Sequence, residues 1–170
     1  MAVGFLDLVG STALASRLEF AELGAVLREF EAAVSDTIVR HRGRVVKFIG
    51  DEVMFTTRTA ASGLEAAVAL SELFKQHPRI PPVRVGLAFG PVLTREGDCF
   101  GSVVNLAARI VTVAEPDSIL IESTLRAQLS APEWEFEDAG SSFLKGFNSP
   151  VSLFRVARHI AGADIASTPA

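Results

Sequence analysis

The chain is short of cysteine, of histidine and of positive charge, and each scarcity removes a class of function. Cys99 is the single cysteine among 170 residues, so an intramolecular disulfide is impossible and a reducing compartment, the cytoplasm, is the expected location. Lys and Arg number 16 against 20 Asp and Glu, for a formal net charge of -4. That balance gives no general attraction to nucleic acid or anionic membrane, so neither is an expected partner; a polyphosphate would need local cations and metal to hold it. The histidines, His41, His77 and His159, lie far apart with no metal-ligand spacing and read as surface residues. Long apolar runs are missing too, none approaching the ~20 residues of a membrane-spanning helix. Met1-Ala2 leads straight into an apolar run without a basic region or cleavage pattern, so no signal peptide is expected. A regulatory or membrane segment upstream of residue 1 in a longer parent would lie outside this sequence.

What the chain does have, 49% hydrophobic and 21% charged residues, suits one compact domain with its own core. Periodicity predicts a strand from Ala2 to Val9, then a helix from Phe20 to His41 with an apolar stripe at Leu23, Val26, Leu27, Phe30, Val34, Thr37 and Ile38. Val45 to Ile49 and Glu52 to Thr57 read as two strands joined at Gly50-Asp51. A helix from Thr59 to Gln76, a strand from Val83 to Phe89, a turn-rich stretch, and a helix from Ser102 to Ala114 follow. Later come a strand from Ser118 to Ile121, a short helix from Thr124 to Leu129, and strands near Trp134 to Glu137, Ser142 to Leu144 and Val151 to Ala157. Trp134 and the twelve phenylalanines read as core. The order strand, helix, two strands, helix, strand is the ferredoxin-like βαββαβ arrangement, an α+β fold, extended here by C-terminal strands and a helix. One domain over 1–160 and a loose tail over 161–170 are expected, with no repeat or linker.

Two carboxylates carry the first chemical signal. Asp7 closes an apolar run in F-L-D-L-V-G-S-T, and Asp51 sits at the turn in K-F-I-G-D-E-V-M-F. Mg²⁺ sites usually join one or two carboxylates to substrate phosphates, so two aspartates suffice for metal on a polyphosphate. Gly10, Ser11 and Thr12 could open a helix whose free N–H groups meet an anion. Glu52, one residue past Asp51 on a strand, is expected to point to the opposite face and not to be a ligand. A second signal lies in G-D-C-F-G-S-V-V-N-L-A-A-R, where Asn105 and Arg109, four apart, share a helix face. An amide suits a ribose oxygen, and a guanidinium suits a phosphoryl group whose charge is being redistributed.

With V-R-V-G-L-A-F-G-P-V and L-K-G-F-N-S-P-V, these segments form an ordered set from about Gly4 to Val156 that closely resembles the class III nucleotidyl cyclases, specifically bacterial-type adenylyl cyclase catalytic domains. The resemblance implies that Asp7 and Asp51, with the backbone carbonyl of Leu8, hold two Mg²⁺ or Mn²⁺ ions per active site. It makes Lys47 and Asp98 the purine-selecting pair, and Asn105 and Arg109 the residues that orient the ribose and stabilise the transition state. Lys145 is similar to a lysine that contacts the terminal phosphates; Pro91 stands where some relatives carry a basic residue. The implied reaction is conversion of ATP to 3',5'-cyclic AMP and pyrophosphate. The implied partner is a second copy of the chain, in a homodimer with active sites at the subunit interface.

The base assignment also has a chemical argument. Adenine offers an acceptor at N1 and a donor at N6; a lysine can only donate and an ionised aspartate can only accept. Guanylyl cyclases of this family typically place glutamate and cysteine there, and Cys99 beside Asp98 would mimic that pattern after a one-residue slip. Alternatives are a diguanylate cyclase, whose G-G-D-E-F turn is echoed by Ile49 to Val53, and a catalytically inactive nucleotide-binding regulatory domain.

Overall fold

The computed structural model describes residues 1–129 and 133–159, so the expected tail over 161–170 lies outside the described residues. The elements run β1 (Ala2–Leu8), α1 (Ser11–Arg17), α2 (Phe20–Arg40), β2 (Gly43–Ile49), β3 (Glu52–Thr57), α3 (Ala60–Lys75), β4 (Val83–Phe89), β5 (Leu93–Arg95), β6 (Asp98–Phe100), α4 (Ser102–Val113), β7 (Ile119–Glu122), α5 (Ser123–Ala127), β8 (Trp134–Ser142) and β9 (Val151–His159). Seven strands form one mixed sheet in the order β2-β3-β1-β4-β7-β9-β8, and β5 with β6 forms a separate two-stranded ribbon. Strand β1 lies antiparallel between β3 and β4, which is the expected split arrangement; β4 and β7 pair in parallel. No helix among the described residues is long and apolar enough to cross a membrane.

Alternation along the strands makes two cores. Ala2, Leu6 and Leu8 of β1, with Val53, Phe55, Val83, Val85 and Leu87, face α2 and α3. Helix α2 meets them with Val26, Phe30, Val34 and Ile38, the helical-period stripe of the sequence, and the Phe30 ring lies 5.3 Å from that of Phe74 on α3. Such an aromatic pair adds about 0.5–1.5 kcal/mol beyond its buried area. Thr59 caps α3 by accepting the Ser62 amide at 3.1 Å. The opposite residues of β1, Val3 and Phe5, join Met54, Ala88 and Leu120 in the second core, which α4 closes with Val103, Ala107 and Ile110.

Gly86 sets how closely α4 approaches. A β-carbon there would lie 2.3 Å from the Val111 amide nitrogen and 2.9 Å from the Ala107 carbonyl oxygen. These are backbone atoms that cannot swing aside. Gly86→Ala is expected to cost about 1–3 kcal/mol by overpacking, read as a lower midpoint in urea unfolding with an unchanged slope.

Four expectations change. The turn-rich stretch contains the β5–β6 hairpin, which turns through Glu96 and Gly97, both with positive φ (53° and 82°), as a two-residue type I' loop requires. Its strands are only three residues long, too short for alternation to show. The separate strands expected at Trp134 to Glu137 and Ser142 to Leu144 are one strand, β8, which absorbs Ala139-Gly140 as an irregularity between the Asp138 and Ser141 pairings with β9; Leu144 falls beyond it. Not every phenylalanine is core: Phe20, Phe100 and Phe143 are exposed, whereas Trp134 is buried. Among the histidines, His77 is only 16% exposed and organises a loop, its Nδ1 accepting the Arg79 and Ile80 amides.

Candidate active site

The face of the sheet that carries α4 also carries the polar residues singled out in the sequence. Asp7 ends the alternation Val3, Phe5, Asp7 on that face and pairs in register with Glu52 on β3 and Arg84 on β4. The result is a cross-strand row of two carboxylates and one guanidinium. Asp7 is 18% exposed, and its Oδ2 accepts from Arg84 Nε at 2.7 Å and Nη2 at 2.5 Å. Asp51 stands beside them at the β2–β3 turn, where Ile49 pairs with Glu52.

Glu52 requires a correction: the register places it directly across from Asp7, on the same face. Burial, and then the charges of Asp7 and Asp51, push its carboxyl above the ordinary glutamate value, with Arg84 opposing. Negative charge is therefore concentrated at this end of β1 and β3, as a cation site needs. Among the described residues no group of three His, Cys, Asp or Glu side chains converges as a ready-made metal cage. Two hard oxygen donors with room for phosphate and water fit Mg²⁺ or Mn²⁺ chemistry. The Leu8 side chain is buried in the opposite core, so that residue can offer only its backbone. Gly10 adopts the left-handed region (φ 73°) and starts α1 at Ser11 and Thr12, with no side chain capping the helix start.

The second cluster lies on β2 and β6. Lys47 Nζ donates to Asp98 Oδ2 at 2.7 Å, and Asp98 Oδ1 accepts the Cys99 amide at 2.8 Å. The Lys47 ammonium first, and that amide second, hold the Asp98 carboxyl below the ordinary aspartate range, so it stays an ionised acceptor. Both side chains remain partly exposed, 41% and 35%, and such a pair adds little to stability. Cys99 is buried in the α4-side core. The structure thus faces Asp98, not Cys99, toward Lys47.

Asn105 and Arg109 project together from the exposed side of α4, opposite its buried Val103, Ala107 and Ile110. Lys145 is exposed in the β8–β9 connection, where buried Leu144 pins the loop to the α4-side core and the Phe147 amide donates to the Leu144 carbonyl at 3.0 Å. Among the described residues no hydrogen bond or ion pair joins the Asp7 end to the Lys47–Asp98 end. Two grooves of about 570 and 500 Å³ lie elsewhere and are lined by none of these candidate residues.

Sequence reasoning missed two arginines. Arg84 lies inside the apolar run V-R-V-G-L, where a charge on the face opposite the α2–α3 core needs a partner. Arg44 of β2 reaches the hairpin, donating to the Gly97 carbonyl at 2.9 Å and approaching Cys99 Sγ at 3.4 Å. It clamps the segment that presents Asp98; its spacing from that segment in sequence gave no signal.

Comparison with known proteins places this architecture. The family profile described as adenylate and guanylate cyclase catalytic domain matches residues 1–157. The chain is 42% identical over 129 residues to an adenylate cyclase of Streptomyces coelicolor, covering 76% of this chain and 34% of that protein. It is 41% identical over 141 residues to an adenylate cyclase of Streptomyces griseus, covering 81% and 35%. The crystal structure of the adenylyl cyclase CyaB from P. aeruginosa superposes with a TM-score of 0.81 at 24% identity, covering 92% of this chain and 93% of that one, which shows a shared fold. The chain spans about a third of the length of these two Streptomyces relatives. With its split α+β sheet, its paired aspartate positions and a profile match over nearly its whole length, the chain belongs to the adenylate and guanylate cyclase catalytic domain family.

Proposed function

We propose that the chain is the catalytic domain of an adenylate cyclase, which converts ATP to 3',5'-cyclic AMP and pyrophosphate. The observation that carries the choice of base is the Lys47–Asp98 pair, a cationic donor 2.7 Å from an ionised acceptor, which suits the N1 acceptor and N6 donor of adenine. Relatives at about 40% identity bear the name adenylate cyclase, in accord with that reading.

In the reaction the ribose 3'-oxygen bonds to the α-phosphorus, the bond from that phosphorus to the α,β-bridging oxygen breaks, and the 3'-proton leaves to solvent. Two divalent ions, Mg²⁺ or Mn²⁺, held by Asp7, Asp51 and the Leu8 carbonyl, would acidify the 3'-hydroxyl and neutralise the polyphosphate. Asn105 orients the ribose. Arg109 meets the charge that builds on the α-phosphoryl oxygens and the leaving pyrophosphate. The uncapped backbone at Gly10, Ser11 and Thr12 begins three residues past Asp7 and receives phosphate oxygens, and Lys145 neutralises the terminal phosphates. Positioning and charge stabilisation carry the catalysis, without a dedicated side-chain base.

The active unit is a homodimer, with the metal aspartates of one subunit facing the base-selecting and Asn105/Arg109 residues of the other. Two features support it: Asn105 and Arg109 are exposed in the single chain, and so are the apolar side chains of Ile49, Leu93, Phe100 and Phe143.

The test is product analysis of the purified chain with Mn²⁺ and either ATP or GTP, by chromatography that separates cyclic mononucleotides from cyclic dinucleotides. Cyclic AMP from ATP, with specific activity rising with protein concentration, supports the reading. Metal-dependent nucleotide binding without product would point to a regulatory domain, and a cyclic dinucleotide from GTP would overturn the assignment. The base preference has its own test. Lys47→Glu with Asp98→Cys reverses donor and acceptor and is expected to move the preference for ATP over GTP by about tenfold or more, measured as the ratio of kcat/KM values.

A further inference from the structure

Arg84 occupies the carboxylate that the proposed function assigns to metal. Its Nε and Nη2 both donate to one oxygen, Asp7 Oδ2, at 2.7 and 2.5 Å, and the pair is partly withdrawn from water at 34% and 18% exposure. Hydrogen bonds between ionised partners are about twice as strong as neutral ones. The backbone enforces the encounter, because Asp7 and Arg84 are register partners on adjacent antiparallel strands in the middle of the sheet. Arg84 can leave Asp7 only by swinging its side chain.

We infer that Arg84 is the resident counter-cation of Asp7, displaced when a divalent cation binds, and that it couples metal binding to nucleotide binding. The inference rests on the metal role of Asp7. Oδ2 already accepts both Arg84 N–H groups, so a metal bonded to Oδ2 competes with the guanidinium for that oxygen, and a metal on the other oxygen would share one carboxylate with a positive charge close by. Without nucleotide, a cation entering the site therefore gives up the Arg84–Asp7 pair and leaves a guanidinium beside a dication. A polyphosphate changes that balance, because the released guanidinium then has anionic oxygens to bind. Metal alone is held weakly and metal with nucleotide tightly. Glu52, on the far side of Asp7, adds to the negative field and leaves the site attractive to a second cation after Arg84 has moved.

The sign of one measurement separates this role from a merely supportive one. Arg84→Met keeps bulk on β4 and removes the charge. Mn²⁺ binding to the metal-free chain is followed by the electron paramagnetic resonance signal of free Mn²⁺, with no nucleotide and then with 3'-deoxy-ATP, which lacks the attacking hydroxyl. Expected for Arg84→Met is Mn²⁺ binding at least about fivefold tighter than wild type without nucleotide, and a smaller gain on adding 3'-deoxy-ATP. If Arg84 merely positions Asp7, Arg84→Met binds Mn²⁺ equally or more weakly, which overturns the inference while leaving the metal reading intact. If Asp7→Asn leaves Mn²⁺ binding unchanged, Asp7 is no ligand and both fall. Should Arg84→Met fail to fold, the wild type answers through the NMR signal of the Arg84 Nε–H group. Metal with 3'-deoxy-ATP is expected to shift that signal by breaking its bond to Asp7, and an unmoved signal at saturating metal overturns the inference.

Discussion

Arg109→Ala is expected to lower kcat with ATP by about 10²-fold or more while moving KM by no more than about threefold. The asymmetry follows from where the side chain sits and what it faces. Helix α4 is fixed by Val103, Ala107, Ile110 and Val111, and Arg109 projects from the other side into solvent. Truncating an exposed side chain on a helix held by its buried face changes stability by no more than about 0.5 kcal/mol, so a folding defect would not account for lost turnover. In the proposed site the ground-state phosphates are anchored at the Asp7 end by the metal ions that Asp7 and Asp51 would hold. The guanidinium matters most when charge shifts to the bridging oxygen of the leaving pyrophosphate, and an interaction made only then appears in kcat. Steady-state kinetics beside a thermal melt checks both halves. A rise in KM at unchanged kcat would make Arg109 a ground-state contact instead.

Equal amounts of Asp7→Ala and Arg109→Ala chains, each nearly inactive alone, are expected to regain about a quarter of wild-type activity when mixed and allowed to exchange subunits. Random pairing makes half of the dimers mixed. Each mixed dimer has one site with both defects and one with neither, so half of its sites work. Such complementation requires that Asp7 and Arg109 serve a given nucleotide from different subunits. The single chain is consistent with this: among the described residues no hydrogen bond or ion pair links the Asp7–Glu52–Arg84 row to Lys47, Asp98, Asn105 or Arg109. Mixed dimers verified by mass spectrometry that stay inactive would sink the shared-site arrangement. Assay with Mn²⁺ and ATP across a range of protein concentrations also separates dimer dissociation from catalytic loss.

Much of this fold was readable from local rules, because its long elements are strongly periodic. The stripe from Val26 to Ile38 is the buried side of α2, and the alternation from Ala2 to Leu8 sends alternate residues to two cores. The places where reading failed have physical reasons. The β5–β6 hairpin has three-residue strands, shorter than a period-2 pattern needs, although Glu96-Gly97 marks its turn. Residues Asp138 to Gly140 carry turn chemistry, with the Asp138 carboxylate accepting the Gly140 amide at 2.8 Å, yet pairing with β9 resumes at Ser141 and keeps them inside β8. Phe20, Phe100 and Phe143 look like core residues in the sequence, since composition says nothing about which aromatic faces solvent.

The candidate site divides along the same line. The sequence by itself determined which residue types were available and their local placement: Asp7 at the end of a strand, Asp51 at a turn, Asn105 and Arg109 one helical turn apart. These are short-range facts, set by periodicities of 2.0 and 3.6 residues. Only the tertiary structure decided partners distant along the chain. It chose Asp98 over Cys99 as the partner of Lys47, because β6 turns the thiol into the core and the carboxylate toward β2. It set Glu52 on Asp7's face through the register of β1 with β3, and it seated Arg84 on Asp7 across a separation of 77 residues. Strand register is a long-range choice made by both sheet faces packing at once, and a one-residue slip would have sent each of these side chains to the other face.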